Sequence, residues 1–187
     1  MSDGEVLIAS ASQTVGPFFH VGPGASNACG VIAHLGAEGE RIRMRIQVLD
    51  GDGIPVNDAM IEVQQADAHG VYVAAAAGAN APSGFTGFGR LSTSEQGTCC
   101  FDTIRPGSSS PDQASHVTLC LFMRGLLRHL VTRVYFEGDP ALDRDAILAL
   151  VPADRRSTLL ARRDADGVTW DFVVRLQGDR ETVFFDV

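Results

Sequence analysis

Residues 41–49 read RIRMRIQVL. Ile42, Met44, Ile46 and Val48 alternate with Arg41, Arg43, Arg45 and Gln47, and successive side chains of an extended chain point to opposite faces. One apolar and one charged face predict a strand laid on a core, with its arginine stripe toward solvent or a partner. The following DGDGIPVNDA carries an Asp-Gly turn and a proline-bearing loop before a second strand, MIEVQQA at 60–66. The two strands therefore make a hairpin or a sandwich corner.

Outward from this pair the same period recurs. GRLSTSEQGTCCFDTIRPG, residues 89–107, reads as two strands around a turn at 95–97, with Pro106-Gly107 ending the second. HVTLCLF at 116–122 sets Val117, Leu119 and Leu121 against His116, Thr118, Cys120 and Phe122, two largely apolar faces as in a central strand. RHLVTRVYF at 128–136 adds another strand. VTWDFVVRLQ at 168–177 aims Trp170, Phe172, Val174 and Leu176 inward, and ETVFFDV at 181–187 reads as the last strand. Between them, GDPALDRDAILALV predicts a short helix with Asp139 as N-cap and Pro140 in its first turn, and ADRRSTLLARR a helical turn or two. Residues 67–89, rich in alanine and glycine without a period, are expected to form an irregular loop.

The chain has 187 residues, 45% of them hydrophobic, with twenty glycines and eight prolines, which suits a single mainly β domain over 1–187. Its net charge of −8, and basic residues that are all arginine and scattered, disfavour a nucleic-acid surface. No apolar run reaches the length of a membrane helix, and the first ten residues lack a signal-peptide pattern, so a cytoplasmic location is expected. Cys29, Cys99, Cys100 and Cys120 fit neither a zinc motif nor a disulfide scaffold and read as buried free thiols.

SQTVGPFFH (12–20), AMIEVQQADAHGVY (59–72), FDTIRPG (101–107), SHVTL (115–119), LVTRVYFEGDP (130–140), ALVPADRR (149–156) and RLQGDRETVFFDV (175–187) stand in one order. That order resembles the intradiol ring-cleaving dioxygenases across nearly the whole chain, and within them the non-iron α type of subunit. The resemblance implies a β-sandwich with short helices in its later half, and a hetero-oligomer with a homologous β subunit that holds Fe(III) by two tyrosines and two histidines. A hard ferric ion suits phenolate and imidazole ligands. The implied substrates are O₂ and a catechol, protocatechuate, opened between its hydroxyl-bearing carbons in aromatic catabolism.

The resemblance also assigns positions. Tyr72 and His116 match one tyrosine and one histidine ligand; Ser109 and Thr118 stand where the other tyrosine and histidine belong, and Gln113 where the motif carries an arginine. Neutral hydroxyls do not replace a phenolate and an imidazole, so SHVTL looks like the vestige of a metal strand. No metal and no catalytic residue are assigned to this chain. Residues 1–40 are expected as an arm reaching the partner, with Thr14, Gly16, Pro17 and Phe18 lining its substrate pocket; the plainer reading of 13–19 is an ordinary turn. Arg133, on an otherwise apolar strand, needs an anion or hydrogen-bond partners if buried. It either binds a substrate carboxylate or braces the subunit interface. His116 and Tyr72 are equally readable as packed, hydrogen-bonded residues. The rival to the enzyme reading is a non-catalytic, homo-oligomeric β-sandwich that binds or carries a ligand.

Overall fold

The computed structural model describes residues 9–16, 18, 19, 29–73 and 84–186. Nine strands follow in chain order: β1 (Cys29–Val31), β2 (Arg41–Leu49), β3 (Met60–Gln65), β4 (Phe88–Ser92), β5 (Thr98–Ile104), β6 (His116–Phe122), β7 (Leu130–Phe136), β8 (Leu160–Arg163) and β9 (Thr169–Arg175). Their order in space is β1-β5-β2-β9-β8-β7-β6-β3-β4. The loop 50–59 is thus the sandwich corner and not a hairpin turn, since β3 pairs with β4 and β6 while β2 pairs with β5 and β9.

Two halves of the sheet fold face to face. Ile42, Met44, Ile46 and Val48 of β2 join Phe101, Trp170, Phe172 and Val174 on one side, and Ile61, Val63, Val117, Leu119, Leu121, Val134 and Phe136 on the other, in one buried cluster. The apolar alternation in RIRMRIQVL decides this, because only one register places all four apolar side chains inside. β8 joins the halves: Leu160 and Ala161 pair parallel with Tyr135 and Phe136, and Arg162 and Arg163 pair antiparallel with Asp171 and Trp170. At the opposite margin β1 and β4 nearly close the sheet. A Cβ on Gly89 would stand 2.8 Å from the Phe101 ring and 2.9 Å from Ile32 Cδ1, so a larger residue would have to push those side chains aside for the margins to meet. Buried Gln65 ties the halves by polar bonds, donating to Ile104 O at 2.9 Å and accepting from Thr103 Oγ1 at 2.9 Å.

The arginine stripe is fully engaged. Arg43 pairs with Asp102 at 2.8 Å, Arg45 with Asp171 at 2.5 Å and Asp164 at 2.9 Å, and Arg41 donates to the carbonyls of Ala33, His34 and Ala37.

Four expectations change. The helix expected from Asp139 is broken into a 3-10 turn, Leu142–Arg144, and a single α turn, α1 (Ala146–Ala149). Its true N-cap is Asp145, whose extended backbone (φ −69°, ψ 115°) interrupts the helix while its carboxylate accepts from Ile147 N and Leu148 N. The helical turn expected in ADRRSTLLARR is present as a 3-10 turn, Arg156–Leu159, and Leu160 begins β8. ETVFFDV forms one bridge, Val131 to Phe185, because the hydroxyls of Thr132 and Thr158 bond the Val183 backbone in place of a ladder. β4 begins at Phe88, inside the stretch read as loop. Of residues 1–40, those from 29 onward belong to the sandwich: β1 pairs with β5, and Ile32 and Ala33 are buried, leaving only earlier residues for an arm.

Candidate functional site

The outward face of β6 carries His116, Thr118, Cys120 and Phe122, opposite Tyr135, Arg133 and Val131 of β7 and Gln64, Glu62 and Met60 of β3. At the His116 end this face is covered by a second apolar cluster, in which Tyr135 packs with Ala114, Ala141, Leu148, Val151 and Leu159. His116 is 5% exposed. Its Nδ1 lies 2.9 Å from Ala114 O, and a carbonyl only accepts, so Nδ1 carries the proton and donates. Burial, with the Arg133 charge acting in the same direction, holds the imidazole below its ordinary pKa and keeps it neutral. Its ring sits 5.7 Å from that of Tyr135.

Tyr135 donates from its hydroxyl to Asp145 Oδ1 at 3.0 Å, and burial pushes the phenol up to about 12. Asp145, itself fully buried, also accepts from Ala114 N at 2.8 Å and from the first amides of α1 at 3.0 and 2.7 Å. One carboxylate therefore fastens the start of β6, the middle of β7 and the helix to one point. Sequence reasoning missed it. The signal was an aspartate immediately before the apolar run AILALV, overshadowed by the Asp139-Pro140 pair.

Tyr72 and Ser109 lie on loops that run against each other. Asp67 O accepts from both Gly70 N and Gly107 N, and Gly70, at φ +82°, leaves no room for a side chain: its Cβ would stand 2.0 Å from Ser108 O. Tyr72 is 42% exposed, Ser109 Oγ donates to Gln113 Oε1 at 3.1 Å, and His116 turns its Nδ1 to its own backbone. Among the described residues no three His, Cys, Asp or Glu side chains are grouped to hold a metal. One imidazole, one phenol and two aliphatic hydroxyls do not fit a ferric ion.

Arg133, opposite Thr118 on this face, is half-buried, and its Nη1 is buried without a hydrogen-bond partner. Of the arm residues, Pro17 lies outside the described residues. Thr14 Oγ1 accepts from Gly125 N at 2.7 Å, Gly16 O accepts from Phe19 N at 3.1 Å, and Phe18 is 81% exposed. They lie at the Phe122 end of β6, about 20 Å along the strand from His116, and none of their hydrogen bonds reaches Arg133.

Residues 15–178 match the family model described as a dioxygenase, and the chain belongs to that family, the intradiol dioxygenases. It is 44% identical to the protocatechuate 3,4-dioxygenase alpha chain of Burkholderia cepacia over 195 aligned residues, covering 97% of this chain and 98% of that one. It is also 36% identical to the protocatechuate 3,4-dioxygenase beta chain of the same organism, over 73% of this chain and 65% of the relative. Among solved structures, the dioxygenase domain of a carbohydrate-binding fusion protein from Streptomyces sp. SirexAA-E superposes with a TM-score of 0.61 at 21% identity, over 93% of this chain and 100% of that domain. That likeness shows the fold. No helix among the described residues is long and apolar enough to cross a membrane.

Proposed function

We propose that this chain is the α subunit of a protocatechuate 3,4-dioxygenase. It pairs with a homologous β subunit that holds Fe(III), and completes one wall of the pocket in which protocatechuate is cleaved by O₂ to 3-carboxy-cis,cis-muconate. The observation that carries the reading is the chain-long identity to an alpha chain, against a shorter and weaker match to a beta chain. The donor set at Tyr72, Ser109, His116 and Thr118, one phenol, one imidazole and two neutral hydroxyls, supports placing the iron on the partner, with αβ pairs assembled into a larger oligomer. The free thiols of Cys99, Cys100 and Cys120 support a reducing, cytoplasmic location.

In this role the chain contributes binding and not bond-breaking. Residues up to 28 form the arm, and Thr14, Gly16, Pro17 and Phe18 line the partner's pocket. Arg133 offers a buried, unpaired guanidinium N–H, and protocatechuate brings a carboxylate of opposite charge. The guanidinium also bonds the Tyr135 hydroxyl, and Nη1 is the atom left over for a group outside this chain.

The test is iron content and protocatechuate-dependent O₂ uptake, for the chain alone and co-purified with its β subunit. Iron and turnover belong to the complex only; turnover by the chain alone with stoichiometric iron overturns the assignment. In the complex, Arg133→Met raises KM for protocatechuate about ten-fold or more, the worth of one charge-assisted hydrogen bond, and raises it far less for unsubstituted catechol. Equal effects on the two substrates assign Arg133 to bracing.

A further inference from the structure

Phe122, the last residue on the outward face of β6, packs its ring 6.4 Å from Phe19 and stacks on His129 at 5.4 Å and 26°. Three residues on, Gly125 aims its N–H at Thr14 Oγ1. The turn between β6 and β7 thus grips residues 14–19 at two points, one polar and one aromatic, from the same chain.

The turn is itself fixed. Met123 and Leu126 pack against the core, Leu126 N bonds Met123 O at 3.4 Å, and Arg124 is paired with Asp58 of the β2–β3 corner. Gly125 sits at φ +90°, a left-handed conformation that glycine adopts without strain, and its N–H is bonded to Thr14 Oγ1. Between the two grips, Gly16 meets nothing that a Cβ would touch, and Phe18 stands 81% exposed.

From this geometry we infer that the β6–β7 turn is a pedestal for the arm, with Phe122 and Gly125 as positioning residues. They hold Thr14 and Phe19 so that Gly16 and Phe18 stay uncovered by the rest of the chain, and thereby set affinity for the aromatic substrate at the partner's site. The inference rests on the reading of 14–18 as lining of that site. Phe122 and Gly125 touch no reacting atom and act only through Thr14 and Phe19.

The test uses the α–β complex carrying Phe122→Ala, and separately Phe19→Ala, which cannot disturb the sandwich because Phe19 lies outside it. Two quantities are read: hydrogen exchange of the Gly125 amide, and KM and kcat for protocatechuate. Both variants accelerate Gly125 exchange and raise KM roughly two- to ten-fold, the span of one aromatic pair, with kcat and iron content unchanged; Phe122→Tyr restores both. Unchanged exchange and unchanged KM in Phe19→Ala overturn the pedestal. Faster exchange with unchanged KM overturns its role in substrate affinity. A wild-type complex that assembles without turnover refutes the subunit reading instead, and the exchange data still judge the pedestal.

Discussion

Replacing Asp145 with alanine removes the acceptor for four hydrogen bonds at once, from Ala114 N, Tyr135 Oη, Ile147 N and Leu148 N. The helix amides lose an N-cap, about 1 kcal/mol. The Ala114 amide and the Tyr135 hydroxyl are buried, and each donor left without an acceptor costs about 1–3 kcal/mol. The four bonds share one side chain and do not add independently, so the expected loss is roughly 3–5 kcal/mol. Asp145→Asn keeps one oxygen for the cap but turns an amide donor toward another donor, and is expected to lose roughly 2 kcal/mol. Tyr135→Phe removes one bond of the four and loses about 1 kcal/mol. Trp170, the chain's single tryptophan and 4% exposed, reports unfolding in urea by its fluorescence. A loss of that size moves the midpoint by about 2 M. A shift below about 0.5 M for Asp145→Ala, or an Asn variant as damaged as the Ala one, would refute the hub.

Gly70→Ala forces a Cβ into the Ser108 carbonyl and strains a left-handed backbone; it is expected to lower the melting temperature of the complex by several degrees and to displace the loops bearing Tyr72 and Ser109. His116 is held neutral in the fold below its ordinary pKa of 6.5. The unfolded chain therefore binds the extra proton first, and stability falls as pH drops below about 6.5 until the lowered folded pKa is passed. His116→Phe should flatten that part of the stability–pH curve, and an unchanged slope would exclude His116 as its source. Burial pushes the Cys99 thiol up to about 12. At pH 8 it should resist iodoacetamide in the folded chain and react only after unfolding, as mapped by mass spectrometry.

Strands with a clean period of two were readable from residue order alone, because burial of Ile42, Met44, Ile46 and Val48, or of Trp170, Phe172 and Val174, depends only on which face each occupies. The region after β7 was not. Asp145 gains its role from Ala114 and Tyr135, which approach it only once β6 and β7 are paired, and Asp139-Pro140 made the stronger local pattern. Likewise, Thr158 and Thr132 occupy the backbone of residue 183, a long-range competition that turns an apparent strand into a single bridge. The reading of Tyr72, Ser109, His116 and Thr118 as vestigial ligand positions followed from family likeness. That Ser109 turns to Gln113 and His116 to its own backbone is a matter of side-chain rotation that residue order does not specify. Phe122 read only as one residue of a central strand, and its partners Phe19 and His129 meet it through tertiary packing.

β2 lies between β5 and β9, and its parallel bond to β9 joins residues as distant as Arg45 and Asp171, 126 positions apart. A ribosome adding about 5–20 residues per second needs roughly 6–25 s to bridge that interval. Throughout it, the β9-facing edge of β2 waits outside the exit tunnel without its mate, its backbone N–H and C=O groups unpaired. The sandwich cannot shut before Thr169–Arg175 have been made, so synthesis leaves a long window in which a chaperone or a nearby nascent chain competes for that edge.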